Sequence, residues 1–432
     1  MTFHDDRIAA QRIAIIGGGI SGLAAAYLLA PRHAVTLYEA APRLGGHART
    51  ILAGRNGDQP VDTGFIVFND ANYPHLTAMF DALGVPVENS DMSFGATIDG
   101  GRIEYGLKTL SALFAQRRNI TRPGFARMIR DILRFNAHSE RAAMDDSATV
   151  GDLMQELRLG RWFQEYYLTP LCGAIWSTPT EQIRSFPARS LVQFFRNHAL
   201  LSTRNQHQWK TVSGGSIEYV RRLEAHLRAR GVAIRSGTPV QAVTRDGTQS
   251  TIRTAHAPQE RFDHVIFACH SDDALRLLER PTGAETSALS NLTYQDNHMV
   301  LHRDTEQMPR RRAVWSSWVY QADSATVRDR IGVTYWMNRL QNIPEDDPLF
   351  VTLNPARPVD SRLIYDQTTF RHPVFDHAAL RAQRELTTIQ GDNNTWFAGA
   401  YTRHGFHEDG ILSAVKIARA LEGTPETETQ AA

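Results

Sequence analysis

Three glycines near the start of the chain have the spacing of a phosphate-binding turn. Gly17, Gly19 and Gly22 stand in the order G-x-G-x-x-G between a short apolar run, RIAII, and a run rich in alanine and leucine. The first glycine permits a tight bend, the second lets backbone approach a diphosphate, and the third lets a helix pack closely on a strand. The helix N-terminus, at Ile20 and Ser21, would offer free N–H groups to the phosphates.

An acidic residue completes the dinucleotide pattern. Glu39 ends the next apolar run, AVTLYE, and lies 20 residues after Gly19 (39 − 19 = 20). A carboxylate at this place accepts hydrogen bonds from a ribose diol and repels a 2′-phosphate, which favours FAD or NAD over NADP. The alternative is a glycine-rich turn beside a surface glutamate.

The glycines require a strand, a turn, a helix and a second strand in that order. Residues 15–30 also have the length and apolar character of a membrane anchor, but a second strand follows them and no basic cluster precedes them. A secretory signal would need a positive start and a small-residue cleavage site. We therefore expect no membrane-spanning helix, and we expect a cytoplasmic protein, at most peripheral on the inner membrane.

A second glycine turn, APRLGGHART, follows Glu39 directly. It resembles the R-x-G-G-[RH]-x-x-[ST] turn of the FAD-dependent amine oxidase and phytoene desaturase superfamily. The resemblance implies FAD as the cofactor and implies that this turn contacts the flavin diphosphate. The matching positions are Arg43, Gly45, Gly46, His47 and Thr50. Many members have arginine where this chain has His47.

The resemblance continues to the C-terminus. VDTGFIVF (61–68) is similar to the segment beside the flavin ring, and the strand pair at 232–247 implies adenine contact near Val240. The stretch 395–421 resembles the closing motif of the superfamily. It implies a strand that ends at Gly399 and a final helix whose N-terminus, near Gly410 and Ile411, faces the flavin and stabilises negative charge.

The expected fold class is α/β, with a discontinuous Rossmann-like FAD-binding domain and an inserted α+β substrate domain of the amine-oxidase type. Strands buried on both faces read as continuous apolar runs, as RIAIIG, AVTLYE, HVIFAC and TWFAGA do. We assign residues 8–74, 208–280 and 391–423 to the FAD-binding domain. We assign residues 75–207 and 281–390 to the substrate domain, and residues 424–432 to a flexible tail.

Composition excludes several other classes of protein. The 432 residues carry a formal net charge of +1, so no global excess of positive charge indicates a nucleic-acid partner. The cysteines, Cys172 and Cys269, are far apart and are expected to be reduced thiols. We find no spacing typical of a metal site and expect no bound metal.

A basic, apolar segment spans residues 107–136. It carries seven cationic side chains against one acid, Asp131, with leucines and phenylalanines between them. A surface of this kind suits an anionic membrane, and we expect contact with the inner-membrane surface. On spacing alone, apolar positions that face the core with a rim of solvated arginines are favoured. RNA binding is a third alternative.

Several motifs, among them FIVFNDANYPHL, WSTP and VTYWMNRLQ, resemble a narrower bacterial branch of the superfamily. Its members often accompany cyclopropane-synthase-like methyltransferases. Members linked to furan fatty acid synthesis oxidise methyl-branched unsaturated acyl chains of phospholipids to conjugated dienes. The resemblance implies this substrate, and aromatic side chains of the inserted segments could line an apolar tunnel or form ordinary core. They are Phe94, Trp162, Tyr166, Tyr167, Trp176, Phe186, Phe194, Phe195 and Trp209.

Catalytic candidates follow from position in these motifs. Amine-oxidising relatives often carry a lysine on a substrate-domain strand, whereas the comparable stretch QDNHMVLHRD offers Asn297 and His298. Oxidation of an allylic C–H bond needs a proton acceptor near the flavin, and His298, His407 and Glu408 are the candidates, with Asp62 and Tyr401 behind them. A structural role is the alternative for each. An amine oxidase, a carotenoid- or squalene-type dehydrogenase and a flavin-binding accessory protein remain open as functions.

Overall fold

The computed structural model describes residues 9–423 except 144, 146, 177–181, 199, 202–206, 256 and 323–331. The start of the predicted FAD-binding domain at residue 8, the predicted tail 424–432 and most of the WSTP motif lie outside these residues. The side chain of Trp176 lies outside them as well.

The chain forms 20 strands and 14 α-helices in the described residues. The strands are β1 (Arg12–Ile16), β2 (Ala34–Tyr38), β3 (Thr50–Ala53), β4 (Gln59–Asp62), β5 (Val67–Phe68), β6 (Val87–Ser90), β7 (Phe94–Ile98), β8 (Ile103–Gly106), β9 (Trp209–Val212), β10 (Ala233–Arg235), β11 (Val240–Arg245), β12 (Ser250–Thr254), β13 (Glu260–Phe262), β14 (His264–Phe267), β15 (Tyr294–His302), β16 (Trp318–Ala322), β17 (Gly332–Trp336), β18 (Phe350–Leu353), β19 (Ile364–Pro373) and β20 (Thr395–Phe397).

The helices are α1 (Ile20–Leu29), α2 (Pro74–Leu83), α3 (Leu110–Leu113), α4 (Pro123–Ala142), α5 (Val150–Glu156), α6 (Arg161–Phe163), α7 (Thr169–Trp176), α8 (Ala188–Asn197), α9 (Ile217–Ala229), α10 (Ser271–Leu277), α11 (Gly283–Ser290), α12 (Met337–Leu340), α13 (His377–Thr388) and α14 (His407–Leu421). Among the described residues, none of these helices combines the length and the apolar character needed to cross a bilayer. The apolar stretch 15–30 instead ends β1 and forms α1.

A five-stranded parallel sheet, in the order β10-β2-β1-β14-β20, lies at the centre of the cofactor-binding part. Both of its faces are buried, because Ile13 and Ile15 of β1 pack into one apolar cluster while Ala14 and Ile16 pack into another. This confirms the expected α/β class and explains why the strand sequences are continuously apolar.

A seven-stranded mixed sheet has the strand order β19-β15-β18-β17-β16-β7-β8. It shares a hydrophobic core with helices from residues 110–197. The parallel sheet takes its strands from residues 12–38, 233–267 and 395–397, and the mixed sheet takes its strands from residues 94–106 and 294–373. Each sheet is therefore assembled from distant parts of the chain. The domain boundaries assigned from the sequence stay a prediction.

Candidate cofactor and active site

The first glycine turn connects β1 to α1 and leaves no room for larger residues at two positions. Gly17 has a φ of +115°, and a Cβ there would lie 2.6 Å from the carbonyl oxygen of Ala268. A Cβ on Gly22 would overlap the carbonyl oxygen of Gly17. The turn and the close packing of helix on strand therefore both depend on glycine.

The start of α1 is open. A Cβ added to Gly19 would meet no atom within 4 Å, and no side chain among the described residues caps the helix there. The first N–H groups of the helix, which include those of Ile20 and Ser21, face this space without a capping acceptor. Uncapped N–H groups beside an open cradle are what a diphosphate requires.

The Glu39 carboxylate lies at the carboxyl end of β2, beside the same turn. Its oxygens accept hydrogen bonds from the N–H groups of Gly18 (2.6 Å) and Ala41 (2.7 Å). The segment before Val240 runs alongside, because the Thr238 N–H donates to the Glu39 carbonyl (2.9 Å). Val240 is half-buried at the start of β11. The predicted ribose and adenine positions are thus neighbours.

The second glycine turn lies against the first. The Gly45 N–H donates to the Gly18 carbonyl (2.8 Å), and a Cβ on Gly46 would lie 3.1 Å from the Cα of Gly19. The Arg43 guanidinium closes this turn by donating to the carbonyls of Gly46 (2.9 Å) and Ala48 (3.2 Å). In the structure Arg43 therefore shapes the loop from within.

The ring of His47 is half-buried and joins a group of aromatic and imidazole rings. It stacks on Phe370, with centroids 5.0 Å apart, and lies 5.6 Å from His372 and 5.9 Å from His270. Its Nε2 has no hydrogen-bond partner in the described part of the chain. Burial holds the pKa of His47 well below its usual range, so the ring is neutral at physiological pH.

The closing motif brings a second helix N-terminus to the first. The Gly399 N–H donates to Ser413 Oγ (3.0 Å), which fixes the turn after β20 to α14. A Cβ on Gly410 would lie 2.7 Å from Ser21 Oγ, so α14 begins against the start of α1. Ile411 is buried at this junction.

Glu408, a catalytic candidate from the sequence, caps another helix. Its carboxylate accepts hydrogen bonds from the N–H groups of His75 and Leu76 (3.0 Å each), which begin α2, and lies 2.6 Å from His75 Nδ1. Asp409 caps its own helix by accepting from the Phe406 N–H (2.9 Å). Burial raises the pKa of Asp409 to about 6.

His407, the second catalytic candidate, is half-buried at the start of α14. Its ring stacks on Phe65 with centroids 3.8 Å apart, and its Nε2 lies 3.2 Å from the Tyr219 hydroxyl. Burial lowers the pKa of His407 to about 3. The imidazole is therefore neutral and is held between two aromatic rings.

His298, the third candidate, lies on β15 with its side chain exposed, whereas the neighbouring Asn297 is fully buried. Asn297 Oδ1 accepts from the Asn354 amide (2.7 Å), and its Nδ2 lies 3.1 Å from His372 Nδ1. The structure therefore brings Asn297 to the His47 group and leaves His298 outside it.

Asp62 is completely buried and holds three segments together. It accepts from the Thr50 hydroxyl (2.6 Å), from the N–H and hydroxyl of Ser216, and from the Gln341 amide (3.1 Å). Burial raises the pKa of Asp62 to about 6. Its carboxylate is fully engaged as a structural acceptor, and Thr50 of the second glycine turn is one of its donors.

Sequence reasoning missed His270 and His372. They join His47 only because α10 begins beside β19 and the second glycine turn. Burial lowers the pKa of His372 to about 4. His372 lies at the end of β19, and no local sequence pattern connects it to His47.

These features together fit FAD. An uncapped helix start with open space at Gly19, a carboxylate at Glu39, two adjoining glycine turns and the unpartnered Nε2 of His47 are the donors, acceptors and room that a flavin dinucleotide needs. The fold and the site define a flavin-binding oxidoreductase.

Comparison with known proteins identifies the family. The sequence pattern of the flavin containing amine oxidoreductases matches residues 20–308, more than half of the chain. The chain belongs to this family and is an FAD-dependent oxidoreductase.

Known proteins share this architecture. Protoporphyrinogen oxidase from Bos taurus is 25% identical over 327 residues, and the match spans 66% of this chain and only 65% of that protein. A CLA-producing fatty acid isomerase from P. acnes is 14% identical, with a TM-score of 0.67 over 95% of this chain and 98% of its own. Cyclohexylamine oxidase from Brevibacterium oxydans is 16% identical, with a TM-score of 0.65 over 96% and 99%. At such identities the structural likeness shows the fold alone.

Proposed function

We propose that this flavoenzyme dehydrogenates methyl-branched unsaturated acyl chains of phospholipids to conjugated dienes. The single observation that carries the proposal is that Asp62, Glu408 and Asp409, the acids around the closing motif and the flavin segment, are engaged by the protein's own donors. When bound, FAD supplies the two-electron acceptor for such a reaction. The chain's own residues would orient the acyl chain, exclude water and accept the proton that leaves the neighbouring carbon.

The carboxylates near the cofactor motifs are all engaged within the protein. Asp62 is enclosed by hydroxyl and amide donors, Glu408 caps α2 and Asp409 caps α14. An ammonium substrate that leaves water needs a carboxylate or comparable partner. Engagement of these acids supports an uncharged substrate over a cationic amine.

The imidazoles beside the closing motif are neutral as well. Burial lowers the pKa of both His198 and His404 to about 4. His198 lies within a stack of rings, with Phe194 at 3.8 Å and Phe406 at 5.8 Å between centroids, and Phe406 immediately precedes α14. This cluster of aromatic and neutral imidazole rings beside α14 supports an alkyl chain as substrate.

The missing lysine points the same way. In amine-oxidising relatives a lysine is expected on the strand that carries Asn297 in this chain. Asn297 instead accepts a hydrogen bond from Asn354, and its Nδ2 lies 3.1 Å from His372 Nδ1. A neutral amide network at this place supports the proposal that the enzyme does not oxidise amines.

We propose His407 as the proton acceptor. It lies at the helix start that the closing motif directs toward the cofactor, where its ring stacks on Phe65 and its Nε2 lies beside the Tyr219 hydroxyl. His298 is exposed and Glu408 is occupied by α2. His407→Asn should slow flavin reduction about 100-fold while FAD stays bound.

The test is anaerobic reduction of the bound flavin. Detergent-dispersed phospholipids with methyl-branched monounsaturated chains should bleach the flavin absorbance and lose two hydrogens by mass spectrometry. Straight-chain phospholipids and cyclohexylamine serve as matched comparisons and should bleach it far more slowly. Bleaching by the amine alone would make this an amine oxidase, and no bleaching by any lipid would leave an accessory role.

A further inference from the structure

Exposed apolar side chains concentrate in one segment of the protein. In the described ranges, six large hydrophobic residues are exposed, and four of them lie between residues 107 and 133. These four are Leu107, Leu110, Ile120 and Leu133, exposed by 38%, 76%, 62% and 58%. Single exposed leucines need no explanation, but a concentration of them in one segment indicates an interaction surface.

The same segment is strongly cationic on the outside. Seven Lys and Arg side chains lie in residues 107–136, and those of Arg127 and Arg130 are 56% and 63% exposed. The single acid, Asp131, is completely buried and accepts from the Gly160 N–H (2.8 Å). The outer surface of this segment therefore presents positive charge and apolar side chains, with no exposed acid.

Helix α4 separates the two kinds of surface. Its inner side buries Phe125, Met128 and Phe135, as the core-facing alternative from the sequence required. Its outer side exposes Arg130 and Leu133, together with Ala126 and Ala137 one turn before and after them. The helix thus packs on the core with one face and exposes a second face of arginine, leucine and alanine, on which Arg130 lies 3.9 Å from the Asp131 carboxylate.

The inner side of α4 leads toward the cofactor motifs. Phe135 contacts Phe195 with ring centroids 5.9 Å apart, and Phe194 stacks on Phe406 at 5.2 Å. Phe406 directly precedes α14. One helical layer therefore connects the exposed arginine and leucine face to the start of the closing helix.

We infer that residues 107–137 dock the enzyme onto the surface of an anionic phospholipid bilayer. Exposed leucines enter the headgroup boundary while arginines bind lipid phosphates, which is the composition of an interfacial helix. This inference rests on the proposed function, because an enzyme that oxidises phospholipid acyl chains must meet them at a bilayer.

Co-sedimentation with vesicles tests the docking surface. The holoenzyme should pellet with vesicles of phosphatidylglycerol and phosphatidylcholine at low salt, and much less with phosphatidylcholine alone. The triple variant Arg127→Gln/Arg130→Gln/Leu133→Ser should lower the partition coefficient at least about tenfold.

A matched control carries the same three changes elsewhere. Leu52 is 65% exposed on β3, and Arg221 and Arg228 are exposed on α9, where each pairs with a glutamate of its own helix. The variant Leu52→Ser/Arg221→Gln/Arg228→Gln has the same net charge as the test variant and should bind vesicles like the wild type. Equal loss of binding in both variants, or none in either, would overturn the inference.

Two further readouts separate this surface from the proposed reaction. Both triple variants should keep wild-type rates of flavin reduction by detergent-dispersed lipid, which does not require a bilayer. A wild type that is reduced by dispersed lipid but ignores anionic vesicles would overturn the docking surface and leave the reaction standing. If the α4 substitutions weaken vesicle binding but no lipid reduces the flavin, the docking surface would stand and the proposed reaction would be overturned. Arginine-dependent RNA retention without vesicle binding would assign the surface to nucleic acid instead.

Discussion

Helices α1 and α14 begin at the same place in the fold, against each other, and they begin differently. The N-terminus of α1 has no capping side chain in the described structure and faces open space at Gly19. The first turn of α1 carries no acid, whereas the first turn of α14 carries two buried acids, Glu408 and Asp409. Asp409 accepts from the N–H groups of Phe406 and His404 in the loop before the helix. A helix start without acids suits a ligand with phosphate oxygens, whereas acids in the first turn offset the positive end of the helix and fix the neighbouring segments.

The difference shows two ways of directing a helix start toward one cofactor. At α1 the ligand itself would complete the helix, so binding and helix stability are linked. At α14 the acids Asp409 and Glu408 tie the helix start to the preceding loop and to α2. We therefore expect that substitutions at the start of α1 can lower the affinity for FAD without lowering the free energy of unfolding. Substitutions at the start of α14 should mainly lower the free energy of unfolding.

The largest expected effect is at Gly22. A Cβ there would overlap the Gly17 carbonyl oxygen, a backbone atom that cannot move without opening the turn. Gly22→Ala should lower the free energy of unfolding by about 4 kcal/mol or more, measured by urea denaturation of the apoprotein. Wild-type stability in this variant would show that the two helix starts do not depend on the tight turn.

The second effect concerns pH and Asp409. Burial raises its pKa to about 6 in the folded protein, so the folded state holds this proton more tightly than the unfolded chain does. Its contribution to stability is complete below about pH 4 and is lost as the pH rises through about 6, on the order of 2 kcal/mol.

Asp409→Asn keeps an oxygen for the Phe406 N–H but cannot ionise. Its free energy of unfolding should therefore fall less than that of the wild type between about pH 4 and pH 6, in urea titrations. Asp62, whose pKa is also raised to about 6, leaves a residual slope. Ser21→Ala at the start of α1 is the control and should keep the full wild-type slope, and an unchanged slope in Asp409→Asn would contradict the assignment.

The sequence predicted the role of the residues at the start of α1 but not that of Glu408 at the start of α14, and the reason is physical. The glycine turn is encoded locally: Gly22 packs on the Gly17 carbonyl five residues before it, and the spacing of Gly17, Gly19 and Gly22 predicts the turn, although Gly17 also approaches the distant Ala268. Glu408 instead meets the N–H groups of residues 75 and 76, more than 330 positions away. No spacing rule predicts such a contact, so its motif position suggested catalysis and gave no sign of its capping bonds.

The same reasoning explains the imidazole group. His47 was expected to contact the cofactor because its turn resembles the superfamily turn that contacts the flavin diphosphate, but its neighbours His270 and His372 come from a helix start and a distant strand. On β15 the alternation of buried and exposed residues decides that Asn297 faces inward and His298 outward. A shift of one residue in the expected register exchanges the two faces.

A third prediction tests Glu408. Glu408→Gln keeps one oxygen for the start of α2 and places an amide N–H₂ where the other accepted, so the free energy of unfolding should fall by about 1–2 kcal/mol in urea. Flavin reduction should stay near the wild-type rate if the residue only caps α2. Unchanged stability with a rate about 100-fold lower would instead make Glu408 the proton acceptor.

The smallest expected effect on folding is at Gly19, where the comparison is sharpest. Its φ of −78° is accessible to alanine, and the added Cβ would meet no protein atom. The loss of glycine as N-cap and the gain from a stiffer unfolded chain are each under about 1 kcal/mol and opposite in sign. The apoprotein of Gly19→Ala should therefore unfold within about 0.5 kcal/mol of the wild type.

Binding should respond where folding does not. The methyl group of Gly19→Ala fills the space beside the uncapped N–H groups, so the affinity for FAD should fall about tenfold, roughly 1.4 kcal/mol, in fluorescence titrations of the apoprotein. Gly283→Ala, also at a helix start with open space, is the matched control and should keep wild-type affinity. Unchanged FAD binding in Gly19→Ala would mean that the open start of α1 is not where the diphosphate lies, and the contrast with α14 would lose its functional meaning.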